Sequence, residues 1–249
     1  MSAPDWLLAR PIAHRGLHDV ARGIVENTIS AAEAAIAGGF AIECDVQLSS
    51  DGEAVVFHDF ILDRLTADHG KVEERSAAAL GSMAVSGTAD TIPTLSAFLD
   101  RIAGRVPVIV EIKSDFSGDD RLTRRTVDIV RTRSEPIAVK SFDPAIVNLV
   151  RQLAPALPRG IVGQSRYEGP EAEQLGDERR RSMTELLHWA DTQPHFVSWR
   201  KLDLPAPSPH LARTLGRAPV MTWTIRSEAE RNAVQPHSDQ IIFEGFVPA

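Results

Sequence analysis

One cysteine, Cys44, is all the thiol that this 249-residue chain carries. An intrachain disulfide is excluded, and because Cys44 alternates with Ile42 and Val46 in a strand-like run, it reads as a buried, inert thiol. Long hydrophobic runs are missing as well. Nothing approaches the roughly 20 apolar residues of a membrane-spanning helix, and the opening MSAPDWLLARPIAHRG has neither a basic start nor an apolar core of signal-peptide length. The expectation is a cytoplasmic protein with no integral membrane segment. Basic clusters are equally scarce: the net charge is −7, and the one local run, Arg179, Arg180 and Arg181, fits a solvated helix face. Nucleic acid is therefore not an expected partner. Dinucleotide-binding and P-loop glycine fingerprints, heptads and low-complexity tracts are also absent, which removes the functions they serve.

With 43% hydrophobic and 24% charged residues, the composition is that of a soluble globular enzyme. Within 41–48, Ile42, Cys44, Val46 and Leu48 share one face of a strand, while Glu43, Asp45 and Gln47 share the other. Residues 107–113 repeat the phase, with Val108, Val110 and Ile112 on one face and Ile109, Glu111 and Lys113 on the other. On an antiparallel strand with one wet face such carboxylates would simply be solvated.

The rest of the chain argues against that. Short β-branched runs at 11–14, 41–48, 107–113, 137–141, 159–162, 196–199, 220–225 and 240–243 alternate with helix-period segments such as 29–37, 93–102, 121–133, 144–153 and 182–192. About eight strand–helix repeats close an α/β fold of the (β/α)8 TIM-barrel type, read as a single domain over 1–249. Such strands are covered on both faces, so two acids on one buried face call for a cation or a site to offset their desolvation. Ser49-Ser50-Asp51-Gly52 turns the chain back into 53–58 as a local hairpin. Residues at about 60–92, rich in Ala, Ser, Gly and charge, form a small insertion after the second strand region, with a short helix near 74–80 and the makings of a lid. Residues 167–181 read as a surface loop entering a helix, and 1–10 as a lead-in in which Trp6, Leu7 and Leu8 pack on the fold.

Barrel chemistry sits at the carboxyl ends of the strands, where His14, Arg15, Glu43, Asp45, His58, Glu111 and Lys113 all fall. Around them stand Ala13-His14-Arg15-Gly16, Glu26-Asn27-Thr28, Glu43-Cys44-Asp45, Asp51-Gly52 with Val55-Val56-Phe57-His58-Asp59, and Leu62-Asp63-Arg64-Leu65-Thr66. Further on come Ile92-Pro93-Thr94-Leu95, Glu111-Ile112-Lys113, Ser141-Phe142-Asp143 and Trp223-Thr224. In order and spacing, over nearly the whole chain, this set resembles the glycerophosphodiester phosphodiesterase family.

The resemblance implies hydrolysis of a small-molecule glycerophosphodiester to glycerol 3-phosphate and an alcohol, with a divalent cation. It implies Glu43, Asp45 and Glu111 as metal ligands, His14 and His58 as the acid–base pair, Arg15 and Lys113 on the phosphate, and Trp223 lining the substrate. Glu26 and Asn27 would shape the site beside the first strand. Three carboxylates without clustered thiols favour Mg²⁺ or Ca²⁺ over zinc. At the last strand the chain departs from the family's Thr-Asp or Thr-Asn before proline, carrying Glu244 with Pro248 further along.

Other functions stand beside this one. A lysophospholipase D-type activity would use the same site with a long apolar groove. A non-catalytic phosphate-ester binding barrel would not need both histidines and all three acids. A zinc amidohydrolase would want a His-x-His pair that His14-Arg15-Gly16 does not supply. Duller roles remain for single residues: Arg15 bridging to Glu26 or Asp45, Glu111 with Lys113 as an internal ion pair, and His18, His69, His188, His195, His210 and His237 as structural or surface groups.

Overall fold

The eight residues of β2 (Ala41–Leu48) form one strand over the span the alternation predicts, and both its faces are buried, Ile42 and Cys44 on one and Glu43 and Asp45 on the other. A strand covered on both sides suits a parallel sheet, and that is its setting. In the computed structural model, which describes residues 3–167 and 175–249, the fold is a (β/α)8 barrel. Within each of its units the strands pair in parallel, except that β3 (Ala54–Val56) runs antiparallel to β2. The strands and helices are shared between two compact units.

The first unit, Ile12–Lys113 with Asp119–Ile137, carries β1 (Ile12–Ala13), β2, β3 and β4 (Val108–Ile112). β1 and β4 each pair with β2 in parallel, placing Ala13 opposite Ile42 and Asp45 opposite Glu111. Between β1 and β2, α1 (Ile29–Gly38) begins where the Thr28 hydroxyl accepts the Ala31 N–H at 3.2 Å and ends on Gly39. After β3 come a 3₁₀ turn (Val72–Glu74) and α2 (Ala77–Leu80), a single turn capped by Ser76. This insertion is less polar than its composition suggests. Leu62, Val72, Leu80, Val85 and Ile92 close a cluster on Val25, Val55 and Phe57, so scattered apolar residues give it a core. α3 (Leu95–Ile102) buries Leu95, Phe98, Leu99 and Ile102 as one stripe, and α4 (Arg121–Val130) follows β4.

The second unit takes the described residues up to Pro11, Ser114–Gly118 and those from Ala138 onward. Its strands β5 (Ile137–Ser141), β6 (Arg159–Gly163), β7 (Phe196–Arg200), β8 (Val220–Ile225) and β9 (Gln240–Phe243) pair in parallel, each with the next. The helices are α5 (Pro144–Leu153), α6 (Gly176–Thr184), α7 (Trp189–Thr192), α8 (Pro207–Thr214) and α9 (Glu228–Val234). The periodic stretch at 182–192 is two helices, because Leu186 turns left-handed (φ 53°) to bury its side chain with Val147, Ile161 and Trp199. Of the loop expected at 167–181, residues 168–174 lie outside the described residues. The arginine run behaves as a solvated face: Arg179 covers the Phe116 ring, Arg180 pairs with Asp177 and Arg181 with Glu185. Of the lead-in, Leu7 is buried and Leu8 stays exposed. No helix among the described residues is long and apolar enough to cross a membrane.

Two histidines of this unit are structural, and they tie stability to pH. Burial pushes His188 and His195 down from 6.5 to about 4. His195 Nδ1 also accepts the Arg159 N–H at 3.2 Å, which an imidazolium cannot do. The unfolded chain binds these protons near its ordinary histidine value, so stability is full above that value and falls as the pH drops towards the folded one. The slope reaches about 1.4 kcal/mol per pH unit for each histidine. His195→Asn keeps an acceptor that does not titrate, so urea unfolding between about pH 7 and pH 4.5 is expected to show a flatter profile for it. A profile parallel to wild type would contradict this.

Candidate active site

β1 ends at Ala13, and the chain turns at once through His14, Arg15 and Gly16. Gly16 N–H donates to Ala13 O at 3.2 Å and Glu43 O at 3.1 Å. Its φ is +79°, and a Cβ there would lie 2.8 Å from that of Ala31, so only glycine fits. Arg15 is left-handed too (φ 56°), a conformation that costs on the order of 1–3 kcal/mol. The turn aims Arg15 N–H at Glu43 Oε2, 3.1 Å away. Asn27, which tolerates its own left-handed φ of 58°, gives its N–H to Arg15 O at 2.9 Å. Its side chain clasps Asp45, donating from Nδ2 to Oδ2 at 2.9 Å and accepting the Asp45 N–H at 3.2 Å.

Glu43, Asp45 and Glu111 are 0%, 1% and 5% exposed, and one carboxyl oxygen from each lies within 4.8 Å of the other two. The parallel register of β2 and β4 makes this meeting possible. Lys113, two residues beyond Glu111, reaches back so that Nζ lies 2.7 Å from Asp45 Oδ1 and 2.6 Å from Glu111 Oε1. Burial works against the charge on Asp45, but attraction to Lys113, His58 and Arg15 outweighs it and holds the carboxyl well below the usual range. Burial works against Lys113 as well, and attraction to Asp45 and Glu111 raises it above an ordinary lysine. Asp45 is thus held as a carboxylate, and a set of three acidic side chains supplying oxygen donors fits a hard divalent cation.

His58 lies two residues beyond β3. Gln47 Nε2 holds its carbonyl at 2.9 Å, and Phe57 N–H donates to Asp45 O at 3.0 Å, so β2 positions this segment as well. His58 Nδ1 is 2.6 Å from Asp59 Oδ1. Arg64 grips Asp59 from Nε (2.6 Å) and Nη2 (3.0 Å), and Glu26 from Nη1 (3.0 Å) and Nη2 (2.8 Å). Glu26 also accepts Arg15 Nη1 at 2.6 Å, while Arg15 Nε stands 3.3 Å from Asp45 Oδ2. Burial would raise Glu26, yet its bonds to Arg64 and Arg15 bring it down to about 2.

The first unit therefore gathers His14, Arg15, Glu26, Asn27, Glu43, Asp45, His58, Glu111 and Lys113 about the ends of β1, β2, β3 and β4. The ion pairs of the duller readings, Arg15 with Glu26 and Lys113 with Glu111, are part of that assembly. Trp223 belongs to the second unit, on β8, with its ring edge-on to Phe142 at 5.6 Å and Nε1 donating to Ser198 O at 3.1 Å. Glu244 pairs there with Arg226. Sequence reasoning missed Gln47, Asp59 and Arg64 as parts of the site. Gln47 carried one signal, its phase with Glu43 and Asp45. Arg64 carried none in spacing, because its reach depends on how the insertion folds.

The chain is similar to known proteins. The sequence model of the glycerophosphoryl diester phosphodiesterase family matches residues 14–241. The glycerophosphodiester phosphodiesterase of Caldanaerobacter subterraneus subsp. tengcongensis is 29% identical over 163 residues, 61% of this chain and 66% of that one. A glycerophosphodiester phosphodiesterase of Bacillus subtilis is 29% identical over 180 residues, 63% of this chain and 59% of the relative. The matches thus span less than two thirds of these relatives' own length. Among solved structures, an Oleispira antarctica phosphodiesterase in complex with the product sn-glycerol-3-phosphate superposes with a TM-score of 0.74 at 22% identity, covering 97% of this chain and 94% of that one. The glycerophosphodiester phosphodiesterase of Thermotoga maritima gives 0.69 at 20% identity over 93% and 92%. These likenesses show the barrel fold.

Proposed function

The chain belongs to the glycerophosphoryl diester phosphodiesterase family, and from that premise we propose that it hydrolyses glycerophosphodiesters to glycerol 3-phosphate and an alcohol, using a divalent cation. The observation that carries this reading is the meeting of three buried carboxylates with Arg15 and Lys113, beside a turn bearing His14 and a strand end bearing His58. Glu43, Asp45 and Glu111 would hold Mg²⁺ or Ca²⁺, which supplies positive charge to the non-bridging phosphate oxygens.

The protein's own groups do the rest. Arg15 and Lys113 stand at the same carboxylates and add cationic donors for the phosphate. One of His14 and His58 takes the proton of the attacking hydroxyl, either water or the neighbouring glycerol hydroxyl, the latter closing a cyclic phosphate that water then opens in a second step. The phosphorus–oxygen bond to the alcohol breaks, and the other histidine protonates the departing oxygen. Glu26 and Asn27 orient Arg15 and Asp45, and Trp223 lines the substrate. A cytoplasmic address belongs to the same reading.

The second reading, a lysophospholipase D-type activity, draws on Phe60 and Ile61, 46% and 48% exposed directly after His58 and Asp59, as apolar surface for an acyl chain. Purified protein with Mg²⁺, offered glycerophosphocholine and lysophosphatidylcholine separately, distinguishes the two. Glycerol 3-phosphate from the first substrate is expected. Choline release from the lysolipid alone would favour the second reading, and turnover of neither would leave a binding barrel.

A further inference from the structure

Arg64 is nearly half exposed, with 46% of its side chain in solvent. An ion pair at such a position contributes little to stability. Its guanidinium nevertheless makes four hydrogen bonds, one edge bidentate on Asp59 and the other bidentate on Glu26. A fork of this kind fixes the plane of each carboxylate as well as its distance, which a point charge does not.

The fixed plane matters at Asp59, whose Oδ1 stands 2.6 Å from His58 Nδ1. An ionised carboxylate only accepts, so Nδ1 must carry the proton and a neutral His58 keeps its lone pair on Nε2. In the other direction the chain of contacts runs through Glu26 to Arg15, and from Arg15 to Glu43 and Asp45. We infer that Arg64 is a positioning residue: through Asp59 it selects the tautomer of His58, and through Glu26 and Arg15 it fixes that imidazole relative to the carboxylate cluster. Arg64 acts on other side chains of the site and needs no contact with the reacting atoms. The inference rests on the reading of His58 as an acid–base group.

The test compares Arg64→Gln, Arg64→Lys and His58→Ala with wild type in kcat, KM and Tm, and reads the ring ¹⁵N shifts of His58 in the metal-free protein, assigned by their loss in His58→Ala. Both Arg64 variants are expected to melt close to wild type and to lose about 10- to 100-fold in kcat, the usual scale for an outer partner of a working histidine, with little change in KM. Lysine is not expected to rescue, because an ammonium lacks the fork. The Nε2–H tautomer of His58 should become visible in both. A wild-type kcat or unchanged ring shifts in Arg64→Gln, beside an inactive His58→Ala, overturns the inference and leaves the histidine's role standing. Full activity in His58→Ala overturns that role and the inference with it.

Discussion

His14→Ala and His58→Ala are each expected to lower kcat by about 10²–10⁴ while KM and Tm stay close to wild type, the range general acid–base groups supply. Both substitutions remove an imidazole without touching the backbone that builds the site. The turn after β1 is held by Gly16 N–H on Ala13 O and Glu43 O and by Arg15 N–H on Glu43. The segment after β3 is held through the His58 carbonyl by Gln47 and through Phe57 N–H. None of these bonds uses an imidazole. The double variant is expected to be little worse than either single one, since an acid and a base that act as a unit in one displacement do not contribute independently. Steady-state kinetics with a thermal melt on the same samples reads the outcome. A variant that turns over at the wild-type rate loses its assigned role.

The second large effect is expected at Asp45. Asp45→Ala removes a proposed metal ligand, and it also strips Lys113 of one of its two carboxylates and Asn27 of its side-chain acceptor. Breaking a buried pair from one side weakens the compensation of the charge left behind, which costs up to about 3–5 kcal/mol. Activity should vanish and the urea midpoint should fall together. Asp45→Asn keeps an oxygen acceptor for Asn27 and leaves Lys113 paired with Glu111, so it is expected to lose less stability than Asp45→Ala while remaining as inactive. Equal loss of stability in the two variants would mean that the missing charge, and not the missing acceptor, sets the cost.

Much of this arrangement is legible in the sequence because period-two alternation is a local property. The phase of Glu43, Asp45 and Gln47 against Ile42, Cys44 and Val46 is readable residue by residue, and its repeat at Glu111 and Lys113 marks a second strand with its acid on one face. That phase leaves the register open, since a slip of two residues preserves it, and the structure sets Asp45 opposite Glu111. The capped helix after Thr28 and the hairpin after Leu48 are equally local. What is not legible is set by distant packing. The insertion closes on a core whose members are scattered from Val25 to Ile92, and only that closure carries Arg64 to Asp59 and Glu26. Leu186 breaks a helix-period stretch because the cluster around Trp199 takes its side chain, a demand that no window on the sequence contains.

On the proposed function, the three buried acidic side chains hold a divalent cation without which the diester is not cleaved. The measurement that tests it most directly is glycerol 3-phosphate release from glycerophosphoethanolamine by protein stripped with EDTA and then titrated with Mg²⁺ or Ca²⁺. Release that disappears on stripping and returns with one of the two ions, and does not return in Asp45→Ala, is the predicted result. Turnover that persists undiminished in excess EDTA would contradict it.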